Sequence, residues 1–147
     1  MLSSYCAEIK KLDYYQAEDL IINSLPEFEH PFSLDKDVSM MVQKWSQFAK
    51  FLLIKNAEDI AAIIVFYENQ TGKFLYIPHL VVMGKHRHAG VGHYALDFLV
   101  HQFIGTYEVI RLEVRQDNSN AIKFYKREGF SCVEIRTETY LMEKKLI

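Results

Sequence analysis

One stretch limits the folds open to this chain more than any other. From Ile77 to Val100 an apolar run meets a basic turn, two glycines and then a helical pattern. The run Ile77-Pro-His-Leu-Val-Val-Met83 reads as a strand. Lys85, His86, Arg87 and His88 make the turn, and Gly90 and Gly92 follow it. Val91, Tyr94, Ala95, Phe98 and Leu99 then recur at helical spacing. A strand that passes through a glycine-bearing turn to a helix N-terminus is suited to holding an anion. The first helical N–H groups lack intrahelical partners, and the helix dipole places partial positive charge there. Glycine removes the Cβ atoms that would keep an anion from the backbone. Arg87 adds a fixed charge. The stretch reads as a site for the pyrophosphate of a cofactor.

The rest of the chain supplies elements around it. Tyr5 to Leu12 partly alternates and predicts a first strand. Asp13 is placed to cap a helix over Tyr14 to Leu25, with Ala17, Leu20, Ile21 and Leu25 on one face. Pro26 and Pro31 bracket a loop. Val38, Met41, Val42, Trp45 and Phe48 predict a second helix over Asp37 to Phe48. Phe51 to Lys55, Ile60 to Glu68 and Phe74 to Met83 predict strands, joined by turns at Asn56-Ala-Glu-Asp and Asn69-Gln-Thr-Gly72. A helix follows over Gly90 to Phe103, then a strand over Val109 to Val114. Asp117-Asn-Ser-Asn leads into a helix over Ala121 to Glu128, with Gly129 at its C′ position. Phe130 to Ile135 and Thr139 to Lys144 predict a final hairpin. The order β-α-α-β-β-β-α-β-α-β-β implies antiparallel neighbours among the strands joined by short turns. It implies a parallel pair flanking the Gly90 helix. The fold class is α+β, a mixed central sheet with helices on both faces.

Charge and cysteine usage exclude some partners. At 147 residues one domain is expected. The formal net charge of −2 speaks against a general nucleic-acid binder. No apolar run reaches membrane-spanning length and no signal-peptide core opens the chain, so the expectation is a cytoplasmic protein without a membrane partner. Cys6 and Cys132 form no metal pattern and are expected to be buried free thiols. Five of the six histidines lie between His79 and His101. No carboxylate pair accompanies them, so no metal is expected and solvated surface positions are the plain account.

Two motifs then carry a likeness. Val82-x-Gly-x-x-Arg87-x-x-Gly90-x-Gly92 resembles the acyl-CoA-binding signature of the GNAT superfamily of N-acetyltransferases. Leu112-Glu-Val-Arg-Gln-Asp-Asn118-Ser-Asn-Ala121-Ile-Lys-Phe-Tyr125-Lys-Arg-Glu-Gly129-Phe130 resembles its second signature more closely. Gly84 departs from the family, which often has proline there, and this touches a turn and not the chemistry. The likeness covers roughly the C-terminal half, and the element order fits the whole chain, 1–147, as a single GNAT domain. It implies the GNAT fold, with antiparallel N-terminal strands and a splayed parallel pair at the cofactor site.

The resemblance implies acetyl-CoA as cosubstrate. It implies that backbone amides of Arg87, His88, Ala89, Gly90, Val91 and Gly92 hold the pyrophosphate. The strand offers backbone groups at Leu80, Val81 and Val82 to the pantetheine arm, and one N–H there stabilises the oxyanion. Asn118 bonds the cofactor arm, and Tyr125 protonates the departing thiolate. A free tyrosine titrates near ~10 and a free thiol near ~8.5, so full transfer is uphill by roughly 2 kcal/mol and the contribution is the usual general-acid one. For the base, His79 is the only titratable side chain between Ile77 and Met83, and Glu113 is a second candidate. His79 is equally readable as a packed strand residue, Tyr125 as core and Asn118 as a plain N-cap.

The implied reaction is acetyl transfer to a primary amine, on a small molecule or a protein N-terminus, in a ternary complex. Leu112-Glu-Val-Arg and Ala-Ile-Lys-Phe-Tyr look similar to the branch that acetylates protein N-termini. Acidic residues Glu27, Glu29, Asp35 and Asp37 read as a solvated face that would favour a cationic acceptor if it bordered the cleft. The resemblance also allows a homodimer, with no edge singled out. Two rival readings stand beside it. One is a non-catalytic domain that senses acyl-CoA. The other is a dinucleotide-binding oxidoreductase fragment, because Gly90-Val-Gly-His-Tyr-Ala95 fits G-x-G-x-x-A, although too few strand–helix units follow.

Overall fold

The computed structural model describes residues 4–24, 38–57 and 59–146. The expected loop between Pro26 and Pro31, and the acidic residues Glu27, Glu29, Asp35 and Asp37, lie outside them. In chain order the elements are β1 (Tyr5–Lys10), α1 (Tyr14–Ser24), α2 (Val38–Phe48), β2 (Lys50–Asn56), β3 (Asp59–Asn69), β4 (Phe74–Val82), α3 (Val91–Phe103), β5 (Val109–Arg115), α4 (Ser119–Arg127), β6 (Ser131–Ile135) and β7 (Thr139–Lys145). The strands form one sheet in the order β1-β2-β3-β4-β5-β7-β6. β1 and β2 are antiparallel, as are β2 and β3. β4 and β5 are parallel, and β7 runs antiparallel to β5. The mixed sheet and the parallel pair around the glycine-led helix match the expected GNAT fold.

The parallel ladder is short. It runs from Phe74 and Val109 to Ile77 and Leu112. Pro78 comes next and has no N–H to give to a ladder.

The chain divides into two compact units: Met1–Phe66 with His79–Ala95, and Tyr67–Pro78 with Leu96–Ile147. In the first, every residue from Ala61 to Phe66 is buried, as are Phe51, Leu52, Leu53 and Ile54. Successive strand residues point to opposite faces, so both faces of β2 and β3 are covered. α1 contributes Ala17 and Ile21, and α2 contributes Val42 and Trp45. A capping box starts α1: the Gln16 N–H donates to Asp13 Oδ1 at 2.9 Å and the Asp13 N–H donates to Gln16 Oε1 at 3.0 Å.

In the second unit β5 is covered on one face only. Ile110, Leu112 and Val114 are buried, whereas Arg111 is half-buried and Glu113 and Arg115 are exposed. α4 ends in a full Schellman motif. The Phe130 N–H donates to the Tyr125 carbonyl at 2.9 Å and the Gly129 N–H to the Lys126 carbonyl at 3.1 Å. Gly129 sits at φ +93°, and an added Cβ would come within 2.9 Å of Lys144 Nζ.

Several expectations need correction. Cys6 and Cys132 are free thiols but exposed. They sit on β1 and β6, the two ends of the strand order, where the outward pleat face meets no covering layer. His86 is buried at 6% exposure, not solvated, because the turn folds it inward. β4 stops at Val82, and a 3-10 turn over Gly84–His86 takes the next residues. α4 starts at Ser119, two residues early, because Asn118 caps it. α3 starts at Val91, with Gly90 left outside the helix at φ +79°.

Candidate functional site

The basic turn is built from β4 outward. The Met83 N–H donates to the Ala61 carbonyl at 2.9 Å, which keeps the end of β4 on β3. The His86 N–H then donates to the Met83 carbonyl at 2.8 Å and the Arg87 N–H to the Gly84 carbonyl at 3.2 Å, closing the 3-10 turn. Lys85 pairs with Asp59 at 2.6 Å, which holds the Asp59 carboxyl below its usual range. The Arg87 Nε–H donates to the Val82 carbonyl at 3.1 Å.

The backbone then enters the left-handed region twice, at His88 with φ +64° and at Gly90 with φ +79°. Turns of this kind form concavities lined by N–H groups. For His88 the conformation is uncommon and costs on the order of 1 kcal/mol. α3 follows at once. The Tyr94 N–H, bonded to the Gly90 carbonyl at 3.0 Å, closes its first turn. The N–H groups of Val91, Gly92 and His93 precede it in the first turn, at the positive end of the dipole. No acidic side chain occupies that first turn. The stretch can therefore take an anion on backbone donors.

β4 enters this turn through Leu80, Val81 and Val82. Val81 is buried, and Leu80 and Val82 are half-buried. The His79 ring stacks on Trp45, with centroids 5.5 Å apart and planes 19° from parallel. Burial lowers its pKa to about 4, so the imidazole is neutral at pH 7.

The second unit holds the other candidates. Asn118 Oδ1 accepts from the Ala121 N–H at 3.2 Å and caps α4. Tyr125 is buried on α4, and its ring meets Phe124 at 5.3 Å and Phe130 at 5.4 Å. Burial pushes its pKa up, so the phenol keeps its proton at every physiological pH.

Glu113 lies in a polar cluster that sequence reasoning missed. Its carboxylate accepts from Arg136 Nη1 at 2.8 Å, from the Thr139 hydroxyl at 2.7 Å and from the Tyr76 hydroxyl at 3.4 Å. Burial and then the Glu113 charge raise the Tyr76 pKa. The period of two places Glu113 opposite Leu112 and Val114 on its strand, so an open-face role was readable. Its partners were not, because they depend on which strands become neighbours. Among the described residues no group of three or more His, Cys, Asp or Glu is placed to hold a metal.

A family model described as the acetyltransferase (GNAT) family matches residues 15–130 of the chain. N-alpha-acetyltransferase 50 of Danio rerio is 32% identical over 74 residues, which span 49% of this chain and 44% of that protein. The match thus spans less than half of that curated relative. The ribosomal-protein-S18-alanine N-acetyltransferase of Escherichia coli is 16% identical, with 96% of this chain and 94% of that one covered at a TM-score of 0.76. The PaiA N-acetyltransferase of Thermoplasma acidophilum, solved in complex with coenzyme A, is 18% identical, with 95% and 99% covered at a TM-score of 0.68. At these identities the likeness to the two solved structures is one of fold.

Proposed function

Because the chain belongs to the GNAT family of acetyltransferases, we propose that residues 1–147 act as one domain that transfers the acetyl group of acetyl-CoA to a primary amine. The observation that carries this reading is the turn from Arg87 to Gly92. It bends through left-handed backbone at His88 and Gly90 and leads directly into the first turn of α3.

In this reading the diphosphate rests on Arg87, His88, Ala89, Gly90, Val91 and Gly92. Backbone groups of Leu80, Val81 and Val82 hold the pantetheine arm, and one of their N–H groups receives the oxyanion. Asn118 bonds the arm. The amine nitrogen attacks the thioester carbonyl, the C–S bond breaks as the tetrahedral intermediate collapses, and the departing thiolate accepts a hydrogen bond from the Tyr125 hydroxyl. A raised pKa makes this phenol a reluctant full donor. Its use is a hydrogen bond to charge as it develops, and positioning supplies most of the rate.

The proton lost by the amine limits the acceptor. His79 at about 4 would take a proton from a lysine-type ammonium, near ~10.4, at an uphill cost of about 9 kcal/mol. From an α-amine, near ~8, the cost is about 5 kcal/mol. We therefore favour an α-amine, as on a protein N-terminus. The printed functions of two relatives, acetylation of α-amines and of a protein alanine, support this choice.

The test is thiol release from acetyl-CoA over a panel of N-terminal peptides, lysine-bearing peptides and small amines. Release with N-terminal peptides supports the reading. Stabilisation by coenzyme A with no thiol release over the whole panel overturns the enzyme in favour of an acyl-CoA sensor. Stabilisation by NAD instead overturns the cofactor.

A further inference from the structure

Three consecutive residues of the turn each reach a different strand. Lys85 meets Asp59 on β3 at 2.6 Å, the Tyr5 hydroxyl on β1 lies 2.7 Å from His86 Nδ1, and Arg87 reaches back to Val82 on β4 at 3.1 Å. Their weights differ. The Lys85 and Asp59 side chains are 68% and 58% exposed, and pairs that exposed contribute little. The Arg87 bond closes a span of five residues and is local. The Tyr5–His86 contact joins residues 81 apart in sequence, and the two rings meet edge-on at 5.5 Å.

His86 is also a costly residue to keep there. It is 6% exposed, and its Nε2 has no hydrogen-bond partner among the described residues. A buried ring nitrogen left unbonded destabilises the fold, and an apolar side chain of similar size would fill the space without that cost. What an apolar residue could not do is bond Tyr5.

We propose that the Tyr5–His86 hydrogen bond is a latch that holds the turn in the shape that receives the diphosphate of coenzyme A. This rests on the cofactor reading above. Backbone N–H groups recognise an anion well only if the backbone is fixed before the anion arrives. α3 fixes the exit of the turn from Val91 onward. The entry passes through a single 3-10 turn over Gly84–His86 and not a longer helix or strand, and His86 ends that turn, one residue before Arg87 and two before the left-handed His88. His86 is thus a positioning residue, acting through the backbone and not by contact with the ligand. The loss of the latch should weaken ligands that carry the diphosphate and spare those that do not.

Acetyl-CoA and acetyl-pantetheine, which lacks the diphosphate, separate the two cases. In Tyr5→Phe the Kd for coenzyme A and the KM for acetyl-CoA should rise about three- to tenfold, the range one neutral hydrogen bond supplies. The kcat at saturating acetyl-CoA and the kcat/KM for acetyl-pantetheine should not change. His86→Leu keeps the burial and loses the bond, and should repeat this split. His86→Asn keeps an amide that can still bond the phenol and should restore most of the affinity. Equal losses for both acyl donors, or wild-type affinity in both Tyr5→Phe and His86→Leu, would overturn the latch. If the wild-type protein does not bind coenzyme A in the same titration, the cofactor reading itself falls, and the latch with it.

Discussion

Between Val82 and Val91 the chain positions backbone, whereas around Glu113, Asn118 and Tyr125 it positions side chains. In the proposed mechanism the working groups of the first region are N–H donors. Their placement depends on two left-handed residues, a short turn and a helix start, all within ten positions of one another. In the second they are a carboxylate, an amide and a phenol. The carboxylate is set by partners far away in sequence, Arg136 and Thr139, whereas Asn118 bonds Ala121 three residues on and the Tyr125 ring meets Phe124 and Phe130. Backbone sites tolerate changes of side chain and fail when φ is disturbed. Side-chain sites tolerate backbone adjustment and fail when one functional group is lost. Binding and chemistry should therefore be separable by mutation.

The sharpest separation is expected from Tyr125→Phe. It should lower kcat by about 10²–10⁴-fold and leave the Kd for coenzyme A unchanged, as measured by steady-state thiol release and calorimetry. A Kd that changes as much as kcat would break the division.

The next effect is on pH. His79 titrates at about 4 in the fold and near ~6.5 unfolded, so the unfolded chain binds the extra proton first. The stability that the neutral ring contributes is fully present above ~6.5 and is lost as pH falls toward 4, by roughly 3 kcal/mol. Urea titrations at pH 7 and pH 4 should show this loss in wild type and a smaller one in His79→Gln. If His79 is the base, kcat/KM should show no inflection near ~6.5. An inflection there that vanishes in His79→Gln would mean that the ring titrates as a solvated one.

Gly90→Val tests the backbone region from the other side. A β-branched residue at φ +79° costs about 2 kcal/mol. If that strain is relieved by moving the turn, the Kd for coenzyme A rises about thirtyfold while Tyr125-dependent chemistry at saturation persists. An unchanged Kd would show that the diphosphate does not use this backbone.

Glu113→Gln should be the mildest for stability, under about 1 kcal/mol by thermal melt, because the Arg136 pair is partly exposed. A large fall in kcat/KM with so small a stability change would make Glu113 the base in place of His79.

The fold was largely legible because its signals are local. Asp13 and Gln16 form the capping box expected of a helix start, and Gly129 stands where a Schellman motif needs a left-handed residue. Unbroken apolar runs at Phe51–Ile54 and Ala61–Phe66 became strands covered on both faces. The glycines at 90 and 92 were enough to locate the candidate cofactor turn. The thiols and His86 were misplaced for the opposite reason. Cys6 and Cys132 look like core residues until the strand order puts β1 and β6 at the two ends of the sheet. His86 looks solvated among Lys85, Arg87 and His88 until Tyr5 is brought to it from the first strand.

The amino-acid order by itself therefore determined the element sequence, the parallel pair around the glycine-led helix and the glycine-bearing turn that starts that helix, because each follows from φ preference and hydrophobic period over a few residues. Only the tertiary structure decided that His86 bonds Tyr5, that His79 lies against Trp45 with a weakened affinity for protons, and that Glu113 gathers Tyr76, Arg136 and Thr139. Those facts depend on which strands pair and in what register, and on which helix packs where. Chain folding settles that through burial of the whole core, and no single segment encodes it.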